Sequence, residues 1–163
     1  VAGIVVTLRD EWAVDIGRAD CLRVLTFYAA QVGVIRQALG RRGVRGVSVG
    51  TVDGSQGAEA NCVLLSCVRA NSRAALGFLD DWRRLNVSLT RAKQAMIIFG
   101  HASTLGRGQP GDALSDFVRS AARARAIYSV SGERASEQAL AALQSLPNLP
   151  NGVRPLKQAW TSA

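Results

Sequence analysis

Residues 62–68 read CVLLSCV, a run in which Ser66 is the one polar residue. An apolar run of this length is typical of a strand buried on both faces of a parallel sheet. Further β-rich runs lie at 22–27, 47–52 and 95–99. Because segments with helical spacing separate several of these runs, the sequence predicts a doubly wound α/β fold with a parallel sheet.

Apolar residues at helical spacing predict the helices. Their expected ranges are 4–12, 29–39, from Asp80 or Asp81 to about Ala92, 114–126, and a short one at 135–146. Either aspartate can cap its helix by accepting a backbone N–H. We expect a main domain over 1–105, a helical and loop extension over 106–146, and a flexible tail over 147–163, which holds three of the four prolines.

The charge of the chain is strongly positive, with 20 Lys and Arg against 12 Asp and Glu. Such a balance fits a polyanionic partner, since basic side chains displace counterions from phosphates. The basic surface of an ordinary globular domain would give the same balance. Charge alone therefore leaves both interpretations open.

The cysteine and histidine content argues against a metal site. The chain has Cys21, Cys62, Cys67 and one histidine, with no Cys-x-x-Cys pair. On a strand, the spacing of the last two cysteines directs them to opposite faces. We expect free thiols in a reducing, intracellular compartment, cytoplasmic or nuclear. No apolar run reaches the length of a membrane span, and no signal segment opens the chain, so no membrane partner is expected.

Polar clusters follow three of the predicted strands. They are Thr26 with Tyr28, the segment 51–59, and residues 69–71. Ligands of doubly wound sheets bind at the carboxyl ends of the strands. The sequence therefore predicts a ligand site formed by these clusters.

The segment 77–93 reads GFLDDWRRLNVSLTRAK. Helical spacing predicts that Arg84, Ser88 and Arg91 share one face. The opposite, apolar face would hold Leu85, Leu89 and Ala92. A solvated charged face is the simple interpretation. A rigid arginine beside the strand ends could instead stabilise charge on a transferring phosphoryl group.

The segments 51–59, TVDGSQGAE, and 26–31, TFYAAQ, each allow two interpretations. Two glycines let the first bring backbone N–H groups close to an anion, although an ordinary turn has the same composition. In the second, Thr26 could bind a phosphate and Tyr28 could stack on a base. Packing of the aromatic residues in the core is equally consistent with the second segment.

Three motifs in order, TFYxxQ, TVDGSQGAEANCVLLSCVRAN and GFLDDWRRLNVSLTRAKQAMIIFGH, strongly resemble the second RecA-like domain of superfamily 1B helicases. Within that family the likeness is to the RNA-surveillance helicases and their DNA2/NAM7-type relatives. It spans about residues 20–105, roughly half of the chain. The resemblance implies a RecA-like sheet and a role in an ATP-dependent RNA or DNA helicase.

The resemblance also implies roles for single residues. Arg91 corresponds to the arginine finger that reaches the γ-phosphate, and Glu59 to the carboxylate that contacts the nucleotide ribose and couples the domains. Gln56 and Gly57 would line the phosphate side of the cleft. The remaining matches are Arg84 and Asn86, which hold the helix at the nucleotide, Thr26, Tyr28 and Thr51, which touch the backbone of the single strand, and Gln31, which closes the first motif.

The chain departs from the family pattern at Phe27, Ser55 and Ala58, where relatives usually carry proline, an aromatic and a basic residue. It contains no G-x-x-x-x-G-K-[ST] loop and no Asp-Glu pair after a strand. ATP with magnesium would therefore be held mainly by a first RecA-like domain, which is an expected partner. We expect this chain by itself to bind ATP weakly and to be inactive as an ATPase.

Two further function classes stay open at this point. The first is a catalytically inert nucleic-acid- or protein-binding module from a degenerate helicase. An intact phosphate loop upstream would favour the active helicase, and a degenerate loop would favour this module. The second is an unrelated dinucleotide-binding domain. The absence of G-x-G-x-x-G after any predicted strand argues against the second class.

Overall fold

The computed structural model describes residues 1–10, 13–70, 76–109 and 111–129. Its helices are α1 (Ala2–Asp10), α2 (Ala29–Gly40), α3 (Trp82–Leu89), α4 (Ala102–Leu105) and α5 (Ala113–Arg123). Its strands are β1 (Leu22–Thr26), β2 (Ser48–Thr51), β3 (Ala60–Ser66) and β4 (Ala92–Phe99). Two 3₁₀ turns cover Asp53–Ser55 and Gly77–Asp80. The helix predicted at 135–146 and the tail at 147–163 lie outside the described residues.

The strands of this described part pair in parallel throughout, in the order β2-β1-β3-β4. Helix α2 joins β1 to β2 over one face of the sheet, where Ile35 and Leu39 are buried. Helix α3 joins β3 to β4 over the other face, where Leu85 is buried. This arrangement confirms the predicted doubly wound α/β fold.

Strand β3 is central, and its side chains serve two core layers. Leu64 and Leu65 are both fully buried. Leu64 packs in the layer with α1 and α2, and Leu65 in the layer with α3 and α5, because successive strand side chains alternate between faces. Cys62 and Cys67 also fall in opposite layers, as the spacing predicted. Burying a leucine contributes about 1.5–3 kcal/mol, so this strand contributes to the stability of both layers.

The parallel strands define two edges of the sheet, whose names are kept below. The carboxyl edge is formed by the strand ends Thr26, Thr51, Ser66 and Phe99. The amino edge is formed by the strand starts Leu22, Ser48, Ala60 and Ala92. The segment 52–59 crosses from the first edge to the second, and one 3₁₀ turn is its only regular structure.

Helix α3 is shorter than predicted. Asp81 caps it, with Oδ1 accepting a backbone N–H of the first turn at 3.0 Å. The helix ends at Leu89 rather than near Ala92, because the Arg91 carbonyl accepts the Ala60 N–H at 3.0 Å and Ala92 pairs with that residue in the sheet. The β-ladder therefore takes residues that helical spacing had assigned to α3, and β4 begins three residues earlier than predicted.

The predicted shared face holds for Arg84 and Ser88, which are four residues apart within α3, but not for Arg91. Ser88 is fully buried, and its hydroxyl donates to the Leu85 carbonyl at 2.7 Å. Arg91 follows the end of the helix and belongs to the turn before β4. The two arginines therefore lie near opposite ends of α3.

Other predicted bounds shift by a few residues. The central strand occupies Ala60–Ser66 rather than 62–68, and it stops before Val68, whose φ of 64° is incompatible with a strand. The helix predicted at 114–126 is α5, which ends at Arg123. The helix predicted at 4–12 begins at Ala2, and residues 11–12 are outside the description.

Helices α4 and α5 lie at and after the end of the predicted main domain. Leu105 and Leu114 nevertheless pack in the same layer as Leu65 and Leu85. The boundaries expected near residues 105 and 146 stay predictions. None of the helices in the described ranges is long and apolar enough to cross a membrane.

Candidate nucleotide and nucleic-acid sites

The predicted site residues separate into two groups at opposite edges of the sheet. Thr26 and Thr51 end paired strands at the carboxyl edge, and Tyr28 follows the first of them. Glu59 and Arg91 directly precede β3 and β4, at the amino edge. The site expected at the carboxyl edge is therefore only partly correct, since the segment 51–59 begins at that edge and ends at the other.

At the amino edge, Glu59 and Arg91 occupy matching positions on neighbouring strands. The Ala60 N–H donates to the Arg91 carbonyl at 3.0 Å, so one backbone hydrogen bond joins the starts of β3 and β4. Glu59 is exposed, and its Oε2 lies 3.9 Å from Nζ of Lys93. A carboxylate, a guanidinium and an ammonium group thus gather at the starts of two adjacent strands.

The Arg91 side chain is held against the end of α3. Its Nε donates to the Val87 carbonyl at 2.9 Å, and its Nη2 donates to Oγ1 of Thr90 at 3.1 Å. The Thr90 hydroxyl in turn bonds to the Asn86 and Val87 carbonyls at 3.0 and 3.2 Å. A cation beside the last carbonyls of a helix is favoured by the helix dipole. The half-buried arginine is therefore positioned mainly by the end of the helix.

Gln56 and Gly57 lie in the crossing segment between the two edges, and both are exposed. Gly57 has a φ of 78°, a left-handed conformation that favours glycine. Ser55 is buried, with its hydroxyl donating to the Val52 carbonyl at 2.7 Å. The departure from an aromatic residue at this position therefore places a small hydroxyl in the core.

At the carboxyl edge, the two threonines differ in accessibility. Thr26 is fully buried, and its Oγ1 accepts the Tyr28 N–H at 3.4 Å. Thr51 is half-buried, and its Oγ1 accepts the Gly54 N–H at 3.1 Å. The geometry therefore favours Thr51 over Thr26 as a direct contact for a bound strand.

Tyr28 is the centre of a side-chain cluster at the same edge. Its hydroxyl accepts from Nε of Arg69 at 2.7 Å and donates to the Leu76 carbonyl at 3.4 Å. Its ring lies 5.4 Å from the Phe78 ring at 45°. A left-handed φ at Val68 turns the chain after β3, next to the arginine that meets the tyrosine.

Arg84 belongs to the carboxyl edge as well. Its Nε lies 3.1 Å from Oδ1 of Asp53 and 3.9 Å from Oδ2 of Asp81. Its Cζ lies 4.9 Å from the centroid of the Phe78 ring. These contacts fix the start of α3 against the residues that follow β2. They lie at the edge opposite Glu59 and Arg91, so a nucleotide-binding role for Arg84 stays a prediction.

The other two matched residues are less engaged in the described contacts. Asn86 is exposed on α3, and its carbonyl accepts the Thr90 N–H at 3.1 Å. Gln31 is half-buried in the first turn of α2, where its N–H donates to the Tyr28 carbonyl at 3.0 Å.

Sequence reasoning missed Phe78 and Trp82, which are 52% and 61% exposed at the carboxyl edge. The sequence feature that could have indicated them is Gly77, which directly precedes Phe78 and has a φ of 59°. A Cβ on this glycine would lie 2.5 Å from Nη2 of Arg69 and 3.0 Å from the Tyr28 hydroxyl. The glycine therefore leaves room for the side-chain cluster.

The three cysteines are free and buried. Burial raises the pKa of Cys62 and that of Cys67 from 9.0 to about 12. Within the described ranges no group of three or more His, Cys, Asp or Glu residues could hold a metal ion. The thiols there are core residues.

The parallel sheet, its crossovers and the charged residues at the starts of its strands define an α/β domain of the RecA-like class. A family model described as an AAA domain matches residues 1–103. The chain belongs to this family, and it is the second RecA-like domain of a superfamily 1B helicase.

Two of the three relatives described next carry helicase names. The chain is 44% identical to the mouse DNA replication ATP-dependent helicase/nuclease DNA2 over 96 residues, which are 58% of this chain and 9% of that protein. It is 54% identical to the ATP-dependent helicase NAM7 of Saccharomyces cerevisiae over 61 residues, or 37% of this chain and 6% of that protein. It is 39% identical to the Drosophila melanogaster regulator of nonsense transcripts 1 homolog over 92 residues, or 56% and 8%. The chain thus spans less than a tenth of the length of these relatives.

Proposed function

We propose that this chain is the second motor domain of an ATP-dependent superfamily 1 helicase that acts on single-stranded RNA or DNA. Arg91 acts as the arginine finger on the γ-phosphate, and Glu59 contacts the nucleotide ribose. ATP and magnesium are held mainly by a first RecA-like domain that closes against the amino edge. The carboxyl edge contributes part of the surface that binds the single strand.

The observation that carries this proposal is the placement of Glu59 and Arg91 directly before two adjacent strands, whose starts are joined by the hydrogen bond from the Ala60 N–H to the Arg91 carbonyl. A helicase needs separate sites for ATP and for the nucleic-acid strand. Glu59 and Arg91 lie at the edge opposite Tyr28 and Thr51. Phosphoryl transfer is accelerated by a cation held in advance where negative charge develops. The guanidinium of Arg91, held at the end of α3, meets that requirement.

The hydrogen bonds of Arg91 indicate how it engages a nucleotide. Its present acceptors, the Val87 carbonyl and the Thr90 hydroxyl, are both neutral. Hydrogen bonds from a guanidinium to a phosphate are stronger, because both partners are charged. A γ-phosphate presented by the first domain would therefore compete well for N–H groups of the guanidinium while the side chain stays at the end of α3.

The strand-binding part of the proposal rests on accessible groups. Thr51 and Tyr28 are half-buried and can reach a phosphate backbone. The full burial of Thr26 fits a supporting role, in which its Oγ1 orients the backbone of Tyr28. Arg84, which the Asp53 carboxylate holds, adds N–H donors beside them.

The test joins this chain to a first RecA-like domain and measures ATP turnover stimulated by single-stranded nucleic acid. Arg91→Ala should lower turnover by about 10³-fold or more while ATP binding is largely kept, because a finger acts on the transition state. Arg45→Ala is the matched control, since Arg45 is an exposed arginine in the turn before β2. Turnover of Arg91→Ala within a few-fold of the native protein would contradict the assignment.

A second experiment measures ATP binding and hydrolysis by this chain without the first domain. Because its sequence contains no phosphate-binding loop, we expect weak ATP binding and no hydrolysis without the first domain. Arginine-dependent ATPase activity from the chain alone would be inconsistent with this. Strand binding by the joined protein without any ATPase would favour the inert binding module instead.

A further inference from the structure

Two large aromatic side chains are unusually exposed at the carboxyl edge. Phe78 is 52% exposed in the 3₁₀ turn before α3, and Trp82 is 61% exposed at the first residue of α3. Single exposed apolar residues are common, but two large rings four residues apart beside a proposed binding surface indicate a contact site.

Arginines flank these rings. Arg84 Cζ lies 4.9 Å from the Phe78 centroid, and Arg83 Cζ lies 5.9 Å from the Trp82 ring. The Tyr28 ring lies next to Phe78, and Arg69 Cζ lies 5.3 Å from the centroid of the Tyr28 ring. The surface therefore combines flat rings with arginines, and the carboxylates of Asp53 and Asp81 lie beside Arg84.

Rings on such a surface suit a polymer that carries flat bases on a charged backbone. A base gains stacking energy on an aromatic face regardless of its identity, while guanidinium groups attract the phosphates between the bases. The rings also continue the carboxyl edge, where the proposed function places the single strand. Continuity with that surface, together with the flat shape of the bases, favours a single-stranded nucleic acid as the occupant.

We propose that Phe78 and Trp82 stack on bases of the bound single strand. The inference rests on the proposed function for the position of the strand, and it adds base contacts to the backbone contacts expected from Thr51 and Tyr28. The strand then approaches the start of α3 with its bases directed at the rings. Arg84 moves from the Phe78 ring toward a phosphate as a base takes its place.

The experiment compares two fluorescent strands of equal length and charge, one of oligothymidine and one with an abasic backbone. Equilibrium affinities are measured by anisotropy on the longest naturally encoded form of the protein. Phe78→Ala and Trp82→Ala should each weaken oligothymidine binding by roughly 5- to 100-fold, because base–aromatic stacking is lost. Affinity for the abasic strand should stay unchanged.

Conservative variants and a matched control guard against a folding effect. Phe78→Tyr and Trp82→Phe keep a flat ring and should retain most of the oligothymidine affinity. Val34→Ala removes a side chain that is 57% exposed on α2 and should leave both affinities unchanged. Circular dichroism melting of each variant confirms that it is folded.

Two results would overturn the inference while the proposed function stands. Equal losses on both strands would mean that the rings support the backbone contacts, and no loss on either strand would mean that the rings face another partner. Failure of the native protein to bind either strand is a different result. It would overturn the strand-binding part of the proposed function, and the stacking inference with it.

Discussion

The two edges of the sheet hold their functional side chains by different means. At the carboxyl edge, Tyr28, Phe78 and Arg84 are positioned mostly by other side chains, through ring contacts and an ion pair with Asp53. At the amino edge, Arg91 is positioned by the helix end, with one hydrogen bond to a backbone carbonyl and one to the neighbouring Thr90. Side-chain contacts rearrange easily, which suits a sliding polymer, whereas a fixed cation suits one phosphate geometry.

Helix α3 connects these two environments. Arg84 lies near its start and Arg91 just beyond its end, a separation of roughly 10 Å at the usual rise per residue. Leu85 and Ser88, between them, are buried against the sheet. Under the proposed function, the helix would carry a displacement at the carboxyl edge to Arg91, because its buried residues hold it against the sheet.

The largest expected effect on stability is the pH dependence of the free energy of unfolding. It compares two buried thiols, one in each core layer. Burial raises the pKa of Cys62, on β3, and of Cys67, just after it, to about 12. An unfolded thiol ionises near pH 9, so between about pH 9 and 12 the folded state binds one more proton per thiol. Each thiol should then lower the free energy of unfolding by about 1.4 kcal/mol per pH unit as the pH rises.

Urea unfolding at several pH values above 9 measures this slope. Cys62→Ala and Cys67→Ala should each make the slope shallower by the same amount, because burial is the cause for both thiols. The comparison of each variant with its own value at pH 8 removes the cost of the cavity. A slope unchanged by either substitution would show that the thiol ionises in the folded protein.

A smaller effect is the loss of stability when alanine replaces a glycine with a left-handed φ. Comparing two such glycines distinguishes a clash with the side-chain cluster from backbone strain alone. Gly77 and Gly43 both have left-handed φ values, 59° and 68°. A Cβ at Gly77 would meet Arg69 and Tyr28, whereas a Cβ at Gly43 would meet nothing within 4 Å. Gly43→Ala should cost about 1 kcal/mol from φ alone. Gly77→Ala should cost about 1 kcal/mol more, because the flexible Arg69 moves and its hydrogen bond to Tyr28 is lost.

Urea unfolding of the two alanine variants gives the stability difference, and strand affinity gives the functional one. Gly77→Ala should weaken single-strand binding, since it disturbs the ring cluster, and Gly43→Ala should not. Equal stability and equal affinity for the two variants would mean that the cluster tolerates the extra methyl group.

The sequence predicted the fold well where local signals and tertiary packing agree. The apolar run around Leu64 and the capping aspartate Asp81 are examples, since burial and an N-cap leave direct marks on composition. The end of α3 was mispredicted for the opposite reason. Leu85, Leu89 and Ala92 continue a helical period, and only the pairing of Ala92 with Ala60 on another strand ends the helix.

The site was predicted as a set of residues but not as a geometry. The short segment 51–59 has the composition of one tight turn, although it spans the sheet from Thr51 to Glu59. Its crossing depends on where β3 starts, which the sequence does not mark. The exposure of Phe78 and Trp82 was equally hidden, because aromatic composition is the same for a core ring and a surface ring.

The smallest expected effect compares one ion pair at each edge. Arg84 Nε lies 3.1 Å from Asp53, and its side chain is 34% exposed; Lys93 Nζ lies 3.9 Å from Glu59, and both of those side chains are about half exposed. Exposed pairs contribute about 0.2–1 kcal/mol, and less as distance and exposure grow. Double-mutant cycles on the free energy of unfolding, with alanine at each position, should give about 0.5 kcal/mol for the first pair. The second pair should give a value close to zero.

The salt dependence of the two coupling energies sharpens the comparison. The Arg84–Asp53 coupling should fall as salt is added, because solvent ions screen exposed charges. The Lys93–Glu59 coupling energy is expected to be near zero already, so it should change little with salt, and Glu59 would remain free for the nucleotide contact that the proposed function assigns to it. A larger coupling energy for Lys93–Glu59 than for Arg84–Asp53 would contradict the comparison. It would mean that side-chain contacts hold the amino edge more strongly than the carboxyl edge. It would also mean that a nucleotide has to break a stable ion pair before it can reach Glu59.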